Sequence, residues 1–244
     1  MNQIEIPALE PRHLRLKPSF SRIDTFTNCE RKYLYDLLYP QPPTDAMKQG
    51  SKVHAQMELL VAGKPLDEEM LPQASAGMTA WEEMGGTALE TEKEITTVRD
   101  IPVTGWIDVV AEDTEGKFVV DWKTCKTLRY AKNQYEAYAS LQLQIYCLAE
   151  GCTRAGFVYL PKTGGYQIRQ ITFLEEDLQI AYERIKIFDA VIRSRWVAAG
   201  AEPDGRGIKQ PKELDLTPFS VAKPDYKFCD PRWCKHWDRC LGAK

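Results

Sequence analysis

The chain has 244 residues, 43% of them hydrophobic and 27% charged, with a formal net charge of −3. That composition supports one sizeable core and a small appendage. It holds no apolar run of membrane-spanning length, and its N-terminal MNQIEIPALEPRHLRLKPSF lacks the apolar core of a signal peptide, so a cytoplasmic protein is expected. The slightly acidic balance gives no global attraction for a polyanion; any such attraction must come from local groups.

Residues 1–18 read as an extended arm, with Pro7, Pro11 and Pro18 opposing regular structure, and 19–244 read as one domain. Ser21 with Asp24 resembles a capping box that opens a single helix through TFTNCERKYLYDLL, ended by Pro40, Pro42 and Pro43. A second helix is predicted over 44–62, closed by Gly63, and a third around 76–84. Three strands follow, LETEKEITTV, VTGWIDVVAE and KFVVDWKT, the last two joined by the turn Asp113-Thr114-Glu115-Gly116. Residues 135–150 are helical in pattern, and AGFVYLP and YQIRQITF form a hairpin around Thr163-Gly164-Gly165. Thr172 with Glu175 caps a last helix, whose stripe Leu174, Leu178, Ala181, Ile185, Phe188, Ile192 and Trp196 is core packing. The Pro-, Gly- and Lys-rich stretch 200–224 reads as a long loop.

The strand VVDWKT carries an acid and a lysine two residues apart, and alternation puts Asp121 and Lys123 on one face. A hairpin centred on Thr114-Glu115 sets Asp108 opposite Asp121, with Cβ atoms roughly 4.5–5.5 Å apart. Two carboxylates that close repel unless a proton or a cation lies between them. Two acids beside a lysine suit a hard divalent cation such as Mg²⁺, which takes carboxylate, water and phosphate oxygens. The site depends on register, because a slip of one residue moves a strand's side chains to the other face.

Gly105-Trp106-Ile107-Asp108 followed by Asp121-Trp122-Lys123 resembles the GxxD…DxK core of the PD-(D/E)XK nuclease superfamily. Gly50-Ser51-Lys52-Val53-His54 and Gln142-Leu143-Gln144-Ile145-Tyr146 resemble the GxxxH and QxxxY segments of its RecB-like exonucleases, in the same order. The resemblance implies an α/β, restriction-endonuclease-like fold with a mixed central sheet flanked by helices. It also implies Mg²⁺- or Mn²⁺-dependent hydrolysis of DNA phosphodiester bonds by an exonuclease acting on single strands or free ends, in repair, recombination or CRISPR or phage DNA processing. By that resemblance His54 joins Asp108 and Asp121 as a metal ligand, Lys123 aligns the attacking water, and Gln142 and Tyr146 position DNA. A phage-encoded member would work in its host's cytoplasm, and a recombination, replication or CRISPR protein is the expected partner. Two other readings fit the same motifs: a non-catalytic DNA-binding module and a structure-selective endonuclease.

Of seven cysteines, Cys229, Cys234 and Cys240 crowd the C-terminus and Cys29 stands alone near the N-terminus. Clustered thiols in an intracellular chain point to metal binding. One N-terminal and three C-terminal cysteines resemble the iron–sulfur members of the RecB-like group, which implies a [4Fe-4S] cluster clamping the two chain ends. Here the first C-terminal gap is four residues rather than the family's usual two. Zn²⁺ therefore stays open as an alternative, with His236 as a substitute ligand. Cys125, Cys147 and Cys152 read as inert. Candidate phosphate contacts are Lys126, Arg129 and Lys132, then Arg206, Lys209 and Lys212. Arg232, Lys235 and Arg239 interleave with Trp233 and Trp237, a pattern suited to single strands.

Overall fold

The computed structural model describes residues 3–5, 14–15, 18–204, 207–209, 213–221, 229–230 and 232–241. In chain order it opens with two short strands, β1 (Gln3–Glu5) and β2 (Leu14–Arg15), and four helices: α1 (Phe20–Asn28), α2 (Glu30–Leu38), α3 (Asp45–Val61) and α4 (Pro72–Met84). Three long strands follow, β3 (Thr87–Val98), β4 (Ile101–Asp113) and β5 (Gly116–Cys125), then helices α5 (Gln134–Tyr138) and α6 (Leu141–Glu150). The hairpin β6 (Arg154–Pro161) and β7 (Gln167–Thr172) leads into the long helix α7 (Glu175–Ala198). Short strands β8 (Glu202–Asp204), β9 (Gly207–Lys209) and β10 (Glu213–Asp215) and a last turn of helix α8 (Trp237–Leu241) complete it. Among the described residues no helix is long and apolar enough to cross a membrane. The chain divides into two compact units, Pro43–Glu183 and Met1–Pro42 with Arg184–Lys244.

The first unit is built on a five-stranded sheet of order β3-β4-β5-β6-β7, in which only the β5–β6 pair is parallel. Alternation along its strands divides its two faces. Val109 and Ala111 of β4, Phe118, Val120 and Trp122 of β5, and Val158 and Leu160 of β6 pack with Val53 and Met57 of α3 and Trp81 and Met84 of α4. The intervening Val110, Val119 and Phe157 are also buried, with α6 against β5 and β6. This is the expected α/β arrangement, a mixed sheet flanked by helices. Local chemistry sets the ends of its elements. The Thr44 hydroxyl accepts from Met47 N at the start of α3. Asp113 Oδ1 accepts from Glu115 N in the β4–β5 turn, where Gly116 supplies the required φ of 107°.

The second unit gathers α1, α2 and the later part of α7. Phe26 meets Tyr33 and Phe188 edge-on, and Trp196 does the same with Phe219. Strand β1 pairs with β10, and β2 with β9, which also pairs with β8.

Several expectations need correction. The helix expected through TFTNCERKYLYDLL is two, because Cys29 takes an extended conformation (φ −159°, ψ 104°) and starts a new helix, its sulfur accepting from Lys32 N. Ser19, not Ser21, caps the first. The helix expected over 135–150 is likewise split, with α6 restarting after Ser140. The stretch 200–224 is not one loop: β8 and β9 form a local hairpin, and β9 and β10 pair with β2 and β1 some two hundred residues away. Within the arm at 1–18, β1 and β2 are strands, and most other positions lie outside the described residues. Leu174 stands 63% exposed, while the rest of its stripe is buried.

Candidate active site

The β4–β5 hairpin has the expected register, with Asp113 opposite Gly116 and Val109 opposite Val120. There the pairing stops, one residue before Asp108 and Asp121, while β5 continues alongside β6 to Cys125. The two acids therefore stand at a fork rather than on a shared rung. Asp108 closes the fork by a side-chain bond: Trp122 N donates to its Oδ2 at 2.6 Å. A buried backbone N–H that has lost its strand partner needs an acceptor, and the carboxylate supplies it.

The other oxygen of Asp108, Oδ1, lies 3.3 Å from His54 Nδ1. Helix α3 brings His54 there through close contact at Gly50, where an added Cβ would come within 2.9 Å of Thr124 Oγ1. Burial alone would lower the His54 pKa, but the Asp108 carboxylate beside it outweighs burial and raises it. A further acid, Glu92 of β3, completes this group: ligand atoms of His54, Glu92 and Asp108 all lie within 4.8 Å of one another. Glu92 is in the left-handed region (φ 47°), unusual for a non-glycine residue in a strand and costing about 1 kcal/mol or more. Burial and the nearby Asp108 push its carboxyl above the ordinary range, against the pull of His54.

Asp121 is buried, and burial raises its carboxyl to about 6, against the pull of Lys123 and with Asp108 adding to the rise. Its Oδ1 accepts from Gln142 Nε2 at 2.6 Å. Its Oδ2 is 2.6 Å from Lys123 Nζ but out of line for a hydrogen bond, so this buried oxygen has no aligned donor. Gln142 also donates to Tyr146 OH at 2.9 Å. Tyr146 is only 6% exposed and stands behind Gln142, which is the half-exposed member of the pair. Lys123 Nζ lies 5.4 Å from the Phe157 ring centre, and so does Lys132 Nζ. A cleft of about 770 Å³, lined by Gly50, Ser51, His54, Glu58, Glu92 and Thr124, opens over the group.

All six residues expected here, His54, Asp108, Asp121, Lys123, Gln142 and Tyr146, meet around the fork. Sequence reasoning missed Glu92, one of three glutamates alternating in LETEKEITTV. Three carboxylates with one histidine and one lysine form a negative pocket that a divalent cation would relieve, and the unaligned Oδ2 of Asp121 fits such a ligand.

Cys29, Cys229, Cys234 and Cys240 belong to the other unit, whereas Cys125, Cys147 and Cys152 lie in the first. Cys29 caps α2 and is buried, whereas Cys234 and Cys240 are half-buried and Cys229 is exposed. Burial raises the Cys29 thiol, Lys32 N opposes this, and Cys240, Cys229 and Cys234 each raise it further. His236, the alternative ligand, points its Nε2 at Asp36 Oδ1, 2.9 Å away. Burial would raise Asp36, but His236 and Lys32 together hold it below its ordinary value.

Of the candidate phosphate contacts, Lys126 and Arg129 are exposed. Arg206 and Lys212 lie outside the described residues, as do the side chains of Lys209 and Arg239. Arg232 is paired with Asp230 at 2.9 Å. Trp233 stands 62% exposed beside the exposed Lys235, and Trp237 is half-buried.

No curated protein matches this chain. Its fold is similar to the crystal structure of LHK-Exo in complex with dAMP, at 17% identity and a TM-score of 0.51, covering 73% of this chain and 88% of that one. A second structure, described as an alkaline exonuclease (LHK-Exo) from Laribacter hongkongensis, matches at 16% identity and a TM-score of 0.43, covering 74% and 90%. The model of one family, the PD-(D/E)XK nuclease superfamily, matches residues 66–241. With most of its length matched by that model, the chain belongs to the PD-(D/E)XK nuclease superfamily.

Proposed function

We propose that this protein is a divalent-cation-dependent DNA exonuclease acting on single strands or free ends. The observation that carries this reading is the convergence of His54, Glu92, Asp108, Asp121 and Lys123 at the forked strand ends. His54, Asp108 and Asp121, with Glu92, would hold Mg²⁺ or Mn²⁺, which supplies an activated water and charge stabilisation on the phosphoryl group. Lys123 orients the water and offsets the charge that develops on the phosphate. Gln142, backed by Tyr146, holds Asp121 in place. Lys126, Arg129 and Lys132, which follow the catalytic strand, take the phosphates downstream. The exonuclease assignment draws support from the fold shared with LHK-Exo, and a recombination, replication or CRISPR protein would direct the enzyme to its ends.

Digestion of end-labelled single- and double-stranded DNA with Mg²⁺ or Mn²⁺, beside Asp121→Ala, tests the reading. Cation-dependent shortening from one end, absent in the variant, is expected. Internal cuts would transfer the reading to an endonuclease, and uncut DNA bound tightly by both proteins would make it a binding module.

For Cys29, Cys229, Cys234 and Cys240 the proposed ligand is a [4Fe-4S] cluster with a structural role. Its support is their one-plus-three arrangement along the chain. Iron and acid-labile sulfide content, with visible absorption lost in Cys29→Ser, distinguishes this from Zn²⁺.

A further inference from the structure

A C-terminal segment that carries three of the four cysteines needs a hold of its own if it is to dock before a metal arrives. The structure shows what does hold it. Cys29 and Asp36 lie seven residues apart, two turns, along one side of α2. Opposite them, Cys240 N donates to His236 O at 2.9 Å, so the backbone position of His236 fixes that of Cys240. His236 is 1% exposed, its ring stacks at a tilt on Tyr35 with centroids 5.5 Å apart, and its Nε2 is 2.9 Å from Asp36 Oδ1. A carboxylate only accepts, so Nε2 carries the proton and donates. Lys32 pairs with the other oxygen of Asp36, which keeps that carboxylate turned to the same side. Neither His236 nor Asp36 belongs to the active site in the other unit.

We propose that Asp36 and His236 form a metal-independent latch, which docks the C-terminal cysteine segment on α2 and presets the four-thiol site. The purpose assigned to the preset site rests on the cluster reading above; the latch itself does not. Nε2 is committed to Asp36, which makes His236 a positioning residue rather than the fourth ligand of a zinc site through that nitrogen. Cluster assembly then begins with the C-terminal segment already docked on the helix that Cys29 caps.

The test uses full-length protein freed of metal and treated with a short bifunctional thiol reagent, with the Cys29–Cys240 link followed by peptide mapping. Wild type is expected to link readily. His236→Phe keeps a ring against Tyr35 but loses the donor, and is expected to link about tenfold more slowly or worse, in line with loss of a hydrogen bond to a charged group. Asp36→Asn, which retains an acceptor oxygen, should fall between the two. Far-UV circular dichroism checks the fold of each variant, and Asp36→Ala, read the same way, replaces His236→Phe if that variant does not fold. Linking by either at the native rate overturns the latch, as does uptake of iron and sulfide by His236→Phe at the wild-type rate. Wild type that takes up no iron yet links in a His236-dependent way keeps the latch and removes the cluster reading.

Discussion

Asp121→Asn is expected to stabilise the metal-free protein at neutral pH while abolishing its response to cations. The Asp121 carboxyl is buried, and burial has raised it from 3.8 to about 6, despite Lys123 at 2.6 Å. The folded protein therefore holds this proton more tightly than the unfolded chain. That contribution to stability is fully present below about pH 4 and is lost as pH rises through about 6. The gap of about two pH units corresponds to about 3 kcal/mol of destabilisation once the carboxylate is ionised. Asparagine removes the charge and keeps an oxygen for Gln142, while the half-buried Lys123 regains water. Thermal unfolding in chelator at pH 4.5 and 7.5 measures the effect. The variant should stand only about a third as far above wild type at the lower pH as at the upper one, where it melts up to roughly 10 °C higher. Mn²⁺ should then raise the melting temperature of wild type alone. A variant less stable than wild type at pH 7.5 in chelator would refute the reasoning, since the buried carboxylate would then be net stabilising.

Other consequences follow from the same geometry. Lys123→Ala should lower kcat by roughly a hundredfold or more while keeping the Mn²⁺-induced rise in melting temperature, because it removes charge stabilisation and not a ligand; steady-state kinetics beside thermal shifts would separate the two. Glu92→Gly should be more stable than Glu92→Ala by about 1 kcal/mol, reversing the usual strand preference, because only glycine occupies a φ of 47° without strain. Both should weaken Mn²⁺ binding, as calorimetric titration would show. Gly50→Ala sets a methyl against Thr124 Oγ1 and should displace His54, weakening metal binding several-fold, and adding Thr124→Ala should restore it.

Much of the site was legible because its spacing is short-range. The turn at 113–116 fixes the register of β4 on β5, and from there the positions of Asp108 and Asp121 follow by counting. What counting could not show is that the ladder ends one rung early, since that depends on β4 leaving β5 while it stays paired with β3. Glu92 was hidden for a similar reason: Glu90, Glu92 and Glu94 look alike in sequence, and only a local left-handed residue distinguishes the middle one. The helix break at Cys29 carries no glycine or proline signal, because a thiol does the capping. Strands β8 to β10 are three residues each, and β9 and β10 find partners at the other end of the chain, beyond the reach of local pattern.

The bond from Trp122 N to Asp108 makes the two acids unequal in a way that bears on how an inactive form of this enzyme is best made. Removing the Asp108 side chain strands a buried amide as well as a ligand, a loss of about 1–3 kcal/mol, so a dead Asp108 variant confounds chemistry with folding. Asp121 has no such second duty to the backbone. For trapping a nucleic acid on an intact scaffold, the substitution belongs at Asp121.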